Sequence, residues 1–424
     1  MGKRLIAVFL LLLIICSLGL TGCREQSADI ALANGQKIPR PAVEVLEGFD
    51  PVLAGSANEL GMKLLEKLYA EGENVFFSPV SIATALTMTY NGARGETREK
   101  MAAVLGVENI APERLNDNNL ALFYLLQEAD PAVKLQIANS LWGREGIAFD
   151  QDFIDCNKKY YNAVLRELDF DSPAAARAIN SWVKENTGGL IEEIVGPPIN
   201  PLTILFLINA IYFQGDWNEP FDPENTREDT FYLPAGETKS IPLMQRHGKF
   251  DYYEDNDLQA VRLPYGKEKR LNMTVFLPAE ESSLQEFLEQ WTAGGWKEAR
   301  EQFSQAEGSL YLPRFNLEYE KTLNDVLKAL GMEIAFAPKQ ADFGKMVAWE
   351  GAPRPYISEV KHKAFMEVHE EGTEAAAATA VEMTLESAPA FFFTMKVNRP
   401  FFFLIEDEET GTILFMGAVS APAA

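Results

Sequence analysis

The side chains with the widest chemical use are three histidines and many carboxylates. The histidines are His247, His362 and His369, and the chain has 62 aspartates and glutamates. His369 precedes two glutamates, but no second histidine follows one helical turn later, so the spacing does not favour zinc. Among 62 acids no pair stands out as a general acid and base. The sequence has no phosphate-binding glycine loop, GxSxG elbow or HExxH motif, and therefore indicates no enzyme, no metal and no cofactor.

The N-terminal residues indicate export. Lys3 and Arg4 precede an apolar run, residues 5–20, which is shorter than the roughly 20 residues that a membrane-spanning helix needs. Leu20-Thr21-Gly22-Cys23 then resembles the lipobox of bacterial lipoproteins. That resemblance implies a signal peptide at residues 1–22 and a Cys23 thiol that carries a diacylglycerol. An uncleaved anchor, or a plain signal peptide with an incidental cysteine, is the alternative.

Cysteine usage leaves one thiol for the folded chain. Cys16 would leave with the signal peptide and Cys23 would be lipidated, so Cys156 has no partner for an internal disulfide. Its neighbours are typical of a helix, and we interpret it as a buried, inert thiol.

The charge excludes several classes of partner. The net charge of −24 becomes −26 when Lys3 and Arg4 are removed with the signal peptide. Such an acidic surface argues against nucleic acid, heparin and anionic lipid headgroups as ligands.

The rest of the chain predicts one large α+β domain. Residues 23–50 are polar with two prolines and are interpreted as a lipidated tether, whereas residues 51–424 have globular patterning without a linker or repeat. Helical spacing is found mainly in the first half and strand patterns mainly in the second half. Helices are predicted at residues 60–69, 78–88, 94–105 and 113–127, strands at 133–142, 204–213 and 271–277, and a hairpin at 401–419.

Residues 373–384 carry conflicting signals. Read with a period of two, one face is Thr373, Ala375, Ala377, Thr379, Val381 and Met383, which has no charge, and the other face carries Glu374 and Glu382. That alternation is typical of a half-buried strand. Alanine and glutamate nevertheless favour helix, so an exposed helix or linker is the alternative. Such a conflict indicates a segment with two states or a functional strain.

Four blocks of sequence, in order, resemble the serpin family. They are residues 74–97 (NVFFSPVSIATALTMTYNGARGET), 209–221 (NAIYFQGDWNEPF), 361–380 (KHKAFMEVHEEGTEAAAATA) and the two segments 398–405 and 414–419. The resemblance runs from about residue 57 to the C-terminus. It implies the serpin fold, with three β-sheets, eight or nine helices and an exposed reactive-centre loop.

The resemblance also implies a suicide mechanism. A target protease would attack the loop and form an acyl-enzyme, after which the cleaved loop would insert into the large sheet and trap the enzyme. The hinge that permits insertion would comprise Glu370, Glu371, Gly372, Thr373, Glu374, Ala375, Ala376, Ala377, Ala378 and Thr379. Its small, uncharged inward side chains fit that task, because a buried charge or a proline would stop the strand from entering.

The same resemblance implies two sites, the shutter and the breach, that control loop insertion. Ser78, Ser81, Asn209 and His362 match the family's shutter, a polar cluster that bridges strands beneath a helix. Trp217 matches the breach, where the loop enters the sheet. These roles concern structural control and not catalysis.

The family spacing, counted from Glu370, predicts cleavage between Glu386 and Ser387, and the alternative is the bond between Leu385 and Glu386. A glutamate before the bond selects a protease with a basic primary pocket, and leucine selects a chymotrypsin-like or elastase-like enzyme. Residues 116–130 lack lysine and arginine, so the heparin site found near there in some serpins is not expected.

The sequence therefore predicts a monomeric serpin at the bacterial cell surface or envelope, tethered by its lipid and covalently trapping serine or cysteine proteases. The alternative is a non-inhibitory serpin that acts as a binding or chaperone-like protein. Residues 24–50 are either a spacer or a segment that packs on the body and slows spontaneous loop insertion.

Overall fold

Among the described residues, α-helices are concentrated in the first half of the chain and strands in the second half, which confirms the α+β prediction. The computed structural model describes residues 37–291, 293–348, 355–373 and 392–423. The α-helices in these ranges are α1 (Val43–Glu47), α2 (Pro51–Leu68), α3 (Pro79–Tyr90), α4 (Gly95–Leu105), α5 (Pro112–Gln127), α6 (Gln151–Tyr161), α7 (Pro173–Asn186), α8 (Leu284–Gln290), α9 (Ala293–Arg300) and α10 (Asn324–Leu327). The strands are β1 (Val75–Phe77), β2 (Val133–Arg144), β3 (Val164–Leu168), β4 (Leu205–Asp216), β5 (Arg227–Tyr232), β6 (Thr238–Glu254), β7 (Leu258–Pro264), β8 (Leu271–Pro278), β9 (Ser304–Pro313), β10 (Phe315–Thr322), β11 (Lys361–Val368), β12 (Gly372–Thr373), β13 (Phe392–Lys396), β14 (Phe401–Asp407) and β15 (Thr412–Val419).

Several helices begin where the sequence supplies both a cap and a proline. Ser78 accepts a hydrogen bond from the backbone N–H of Ser81 and Pro79 opens α3. Asp50 and Ser172 cap α2 and α7 in the same way, each followed by proline. The cap satisfies an N–H that would otherwise lack a partner, and proline gives up no hydrogen bond in the first turn.

Hydrogen bonds join the strands of the described residues into two networks. One has the order β1-β15-β14-β8-β7-β6-β9-β13, with β5 also paired to β6, and the other has the order β10-β11-β12-β4-β2-β3. The larger network combines two of the three sheets that the resemblance implied, because the 17-residue strand β6 spans both: it pairs with β5 over residues 238–243, with β9 over 243–252 and with β7 over 251–254. The described residues contain ten α-helices, against the expected eight or nine, since short segments such as α1 and α10 are counted.

The segment before the first long helix contacts α5. Ile38 is buried, and its backbone N–H donates to Gln127 Oε1 at 2.6 Å. At the other end of the segment, the backbone N–H of Asp50 donates to Asn118 Oδ1 at 2.6 Å, and the Asp50 carboxylate lies 2.7 Å from Arg114. Residues 37–50, placed in the tether by their composition, thus pack on the body.

Residues 1–36, which contain the predicted signal peptide and Cys23, lie outside the described residues. Within the described ranges, every helix is too short or too polar to cross a membrane.

Candidate functional site

The hinge begins at the head of the six-stranded sheet. After β11 the chain turns tightly, with reciprocal backbone hydrogen bonds between His369 and Gly372 at 2.9 and 3.2 Å. Strand β12 then pairs antiparallel with both neighbours: Thr373 lies opposite Val368 of β11 and opposite Gly215 of β4. Gly372 and Thr373, which belong to the predicted hinge, are therefore part of the six-stranded sheet.

Gly372 is required at this position by space as well as by conformation. Its φ is +156°, and a Cβ atom added there would lie 2.2 Å from the Gly215 carbonyl oxygen. Contacts below 3.0 Å are not tolerated, so any other residue would displace the hinge from β4. This position in the predicted hinge therefore has a steric need for glycine.

Trp217 holds the hinge through both its backbone and its ring. Its backbone N–H donates to the Glu371 carbonyl at 2.8 Å, and its indole Nε1–H donates to the His369 carbonyl at 3.0 Å. Glu370 is also buried, and its carboxylate accepts a hydrogen bond from the Thr226 hydroxyl at 2.7 Å. The breach residue expected from the sequence thus contacts the hinge directly.

Tyr265 is a further hinge contact, which sequence reasoning missed. Its ring stacks on Trp217 at a centroid distance of 4.5 Å, and its hydroxyl lies 2.8 Å from the Thr373 hydroxyl. Complete burial raises the pKa of the Tyr265 phenol, so the group stays neutral and available for that hydrogen bond. Tyr265 lies just after β7, far from the hinge in sequence, and local patterns carry no signal of that contact.

The four predicted shutter residues form one hydrogen-bonded polar cluster, in which Ser78, Ser81 and His362 are buried and Asn209 is partly exposed. The backbone N–H of Ser78 donates to His362 Nε2 at 3.2 Å, and the Ser81 hydroxyl donates to Asn209 Oδ1. The cluster continues into β2, because the Asn209 amide donates to Asn139 Oδ1 at 2.7 Å and the Asn139 amide donates to the Tyr161 carbonyl at 2.6 Å. Sequence reasoning missed Asn139, although an asparagine within the predicted strand 133–142 could have signalled it.

His362 is held neutral by its surroundings. It is 6% exposed, and because its Nε2 accepts a hydrogen bond, the ring proton is placed on Nδ1. Burial lowers the pKa of His362 to about 4, well below its ordinary value. The cluster is therefore uncharged at neutral pH.

A cavity of about 250 Å³ lies between β4, β11 and α3. Its lining includes Ser81, Leu207, Asn209 and His362, so the cavity adjoins the shutter residues. In the described part of the chain no ladder joins β11 directly to β4, and β12 is the strand between them. We call this gap, between β4 and β11 below Thr373, the slot.

The charges at the hinge are carboxylates. Asp216 lies opposite Gly372, and its pKa is raised, first by desolvation and then by the nearby negative charge of Glu371. The neighbouring His369 acts in the opposite direction and favours the ionised form of Asp216.

The remaining predictions concern the rest of the hinge, the reactive bond, the Cys156 thiol and metal binding. Hinge residues Glu374, Ala375, Ala376, Ala377, Ala378 and Thr379, and the bond residues Leu385, Glu386 and Ser387, lie outside the described residues. Cys156 is partly buried, and desolvation raises the pKa of its thiol to about 11, which disfavours the reactive thiolate. Across the described ranges, no group of three or more His, Cys, Asp or Glu side chains is placed to hold a metal ion.

The comparisons with known proteins agree with this geometry. A family model described as "Serpin (serine protease inhibitor)" matches residues 55–422. An uncharacterized serpin-like protein of Thermococcus kodakarensis is 38% identical over 393 residues, covering 91% of this chain and 89% of the relative.

Two solved structures share the fold. The native state of the thermophilic serpin tengpin has a TM-score of 0.79 at 32% identity, with 87% of this chain and 94% of tengpin covered. A complex of human thyroxine-binding globulin has a TM-score of 0.80 at 25% identity, with 90% of this chain and 100% of that globulin covered. Taken with the hinge at the head of the slot, these matches establish that the chain belongs to the serpin family of serine protease inhibitors and related binding proteins.

Proposed function

We propose that this serpin is a suicide inhibitor of serine proteases, and of cysteine proteases with a similar cleft. The observation that carries the proposal is the hinge: at the open end of the slot Thr373 is paired with both β4 and β11, and Gly372 is paired with β4. Continuing the strand in the same register would place the following residues between β4 and β11.

Continuing that register predicts the partners of each inserted residue. Each step down the loop moves one residue back along β4 and β11, so six steps from Thr373 bring Thr379 between Asn209 and His362. The uncharged set from Thr373 to Met383 would then face the buried side, where Phe213, Ile211, Met366 and Ala364 lie. Glu374 and Glu382 would face the opposite side of the sheet. The side chains near Thr379 would fill the cavity beside the shutter residues.

The chemical step would be the protease's own. Its nucleophile attacks the carbonyl carbon of Glu386, the bond to Ser387 breaks, and the new amine leaves with a proton from the protease's general acid. The 14 residues from Thr373 to Glu386, extended at ~3.3 Å each, would carry the acyl-enzyme ~46 Å. Trapping requires that insertion be faster than attack by water on the acyl bond, so the native state is proposed to be metastable and kinetically held.

We also propose that the mature chain begins at Cys23 and is held at the bacterial envelope by a diacylglycerol on that thiol. The lipobox-like residues 20–23 support this. Growth with an alkyne-labelled fatty acid should label the wild-type chain and leave a Cys23→Ala variant unlabelled. Size-exclusion chromatography with light scattering would test the accompanying proposal of a monomer.

The test of inhibition is incubation of the soluble form, starting at Arg24, with a glutamyl endopeptidase, chymotrypsin, an elastase and subtilisin. An SDS-stable band of summed mass is expected, with mass spectrometry locating the cut after Glu386. A cut after Leu385 would keep the mechanism and change the specificity. Cleavage without a complex would reject the inhibitor proposal.

A second candidate function is a non-inhibitory binding or chaperone-like protein. The similarity to thyroxine-binding globulin, whose structure was solved as a complex, supports a binding function as the second candidate. It predicts that loop cleavage leaves the melting temperature unchanged, whereas full insertion should raise the apparent melting temperature by at least ~10 °C, because a new strand is paired on both edges.

A further inference from the structure

A group of buried polar atoms without hydrogen-bond partners lies on one face of the nine-stranded sheet. Within the described part of the chain, these atoms are both carboxylate oxygens of Glu406, Nε and Nη2 of Arg262, and the hydroxyl of Thr274. Thr274 of β8 lies opposite Arg262 of β7, and Glu406 of β14 lies opposite Asn272, two residues from Thr274 on the same face. Ile413 of β15, also opposite Glu406, belongs to the core on the helical side of the sheet. We call Glu406, Arg262 and Thr274 the Glu406 cluster.

Helix α9 and the residues that follow it cover the Glu406 cluster. Trp296 and Ala299 of α9 are buried, and the Trp296 ring contacts Phe276 at a centroid distance of 5.6 Å. Phe276 lies on the same face of β8 as Thr274, two residues further along. Phe303, just after α9, lies over the Arg262 guanidinium at 4.6 Å. Local opening of α9 would therefore admit water to the cluster.

The cations near the cluster are engaged with other groups. Arg262 Nη1 lies 3.0 Å from the Glu408 carboxylate, and Arg300 of α9 donates from Nη2 to the Glu408 carbonyl at 2.8 Å. Asp407 accepts a hydrogen bond from Arg270 Nη2 at 2.9 Å. Helix α2 also packs against α9 and β15, and its charged residues are all exposed. They are Glu59, Lys63, Glu66 and Lys67.

Burial without a hydrogen bond makes the ionised form of Glu406 costly. The residue is fully buried, and desolvation raises its pKa to about 7, although Arg300 and Arg262 favour the ionised form. In an open state, where water reaches the carboxyl group, the pKa would return to about 4.3. Between these two values the open state releases a proton that the closed state keeps. Opening therefore becomes easier as the pH rises, and its pH dependence ends above about pH 7.

We infer that Glu406 is a proton-binding site that controls how α9 closes on the sheet. The neutral carboxyl group allows the helix to close, whereas ionisation draws water into the Glu406 cluster and opens the helix locally. The site lies outside the hinge, the breach and the shutter, and the inference does not depend on the proposed inhibition. Acidification strengthens this closure, and the sign is opposite to that of His362, whose pKa is lowered by burial.

The first test is hydrogen–deuterium exchange of the soluble form, followed by mass spectrometry of peptides that cover residues 293–303. After correction for the intrinsic chemical rate, wild-type exchange should be at least about tenfold faster at pH 7 than at pH 5. Glu406→Gln keeps the shape of the side chain and remains neutral, so its corrected exchange should not change with pH. The matched control is Glu298→Gln, which removes an exposed carboxylate of α9 and should keep the wild-type increase.

Two outcomes of the exchange experiment would overturn the inference. One is the same pH dependence in wild type and Glu406→Gln. The other is an equal acceleration in peptides of α6, because Glu406 would then act only through global unfolding.

The second test is infrared spectroscopy, which detects the carbonyl stretch of a protonated carboxyl group. The difference between wild type and Glu406→Gln should contain this band at about pH 6 and lose it by about pH 8.5. Its absence at about pH 6 would show that Glu406 is ionised, against the inference. If Glu406→Gln does not fold, the wild-type band alone decides. A component with a midpoint near pH 7 supports the site, and a single midpoint near 4.3 overturns it.

Discussion

The centre of the nine-stranded sheet and the slot of the six-stranded sheet are packed in opposite ways. Strands β8, β14 and β15 bury every residue. Strand β11, beside the slot, buries only every second residue, and Leu207 and Asn209 of β4 are partly exposed next to the cavity. The first region is filled by aromatic side chains such as Phe76, Phe403 and Phe415. The second contains hydrogen-bonded polar groups and empty volume.

The packed nine-stranded sheet therefore stabilises the native state as it stands. Under the proposed mechanism, further stabilisation would come from filling the slot of the six-stranded sheet. In a filled sheet, every strand edge is paired and no further burial is available. In the slot, a strand of small residues could fill the cavity and pair with β4 and β11. The metastability of the native state would then arise from the six-stranded sheet, and its resistance to unfolding from the nine-stranded sheet.

The largest expected effect is on the slot. Thr379→Arg should convert the inhibitor into a substrate, because the register places residue 379 between Asn209 and His362, where an unpaired charge costs several kcal/mol. A barrier higher by 1.4 kcal/mol already slows insertion about tenfold. The stoichiometry of inhibition, titrated with active-site-calibrated protease, should rise at least about tenfold.

The matched control is Glu374→Arg, on the opposite face of the inserted strand, where the natural side chain is already charged. The register places position 374 beside Gln214 and Glu367, which are both partly exposed, so the stoichiometry should stay within about twofold of wild type. Equal effects at positions 374 and 379 would contradict the register derived from Thr373.

The elements of both regions were predictable because their patterns are local. The strands expected at 133–142, 204–213 and 271–277 appear as β2, β4 and β8, and the hairpin at 401–419 appears as β14 and β15. The contacts of Tyr265 and Asn139 were not predictable, since they depend on which strands become neighbours after the chain has folded. The family resemblance supplied the positions of Trp217 and the shutter residues, which no periodicity could have given.

The second largest effect concerns the filled sheet. Phe403 is fully buried and stacks near Phe76, and its ring lies on Gly417, where a Cβ atom would come within 2.2 Å. Phe403→Ala should cost about 3–5 kcal/mol in the free energy of unfolding. For a domain of this size, that loss corresponds to a fall of about 4–6 °C in the melting temperature. Differential scanning calorimetry would measure this fall.

Tyr232→Ala, an exposed aromatic in the same network, should change stability by less than about 1 kcal/mol. The stoichiometry of inhibition should be unchanged in both variants at low temperature. A raised stoichiometry in Phe403→Ala would show that the two regions are energetically coupled, against the separation argued above.

A pH effect should come from the shutter cluster. The pKa of His362 is lowered to about 4 in the fold, so the unfolded chain binds a proton below about pH 6.5 that the folded chain does not. The contribution of neutral His362 to the free energy of unfolding is complete above pH 6.5 and is lost as the pH falls towards 4. About 2 kcal/mol of it is lost by pH 5. The apparent melting temperature should therefore fall by about 2–3 °C more in the wild type than in His362→Gln between pH 7.5 and 5.

His247→Gln is the control for that experiment, because His247 is largely exposed. It should keep the wild-type dependence on pH. If His362→Gln loses as much stability as the wild type on acidification, the buried imidazole is not the source of the pH effect.

The smallest expected effect comes from residues 37–50. These residues join α5 to α2 through Ile38, Asp50 and Arg114. Helix α5 contacts β2 of the six-stranded sheet and α2 contacts β15 of the nine-stranded sheet, so the segment links the two sheets. Opening the slot would move β4 and β2 away from β11, and α5 would have to move relative to α2. Deleting residues 24–50 should therefore speed the loss of inhibitory activity at 37 °C a few-fold, and lower stability by about 1–3 kcal/mol through loss of the buried Ile38 and of the Asp50 cap on α2. Deleting residues 24–36 should leave both unchanged. Equal decay in the two deletions would make the whole segment a spacer, and faster decay in the longer deletion would assign it to holding the slot closed.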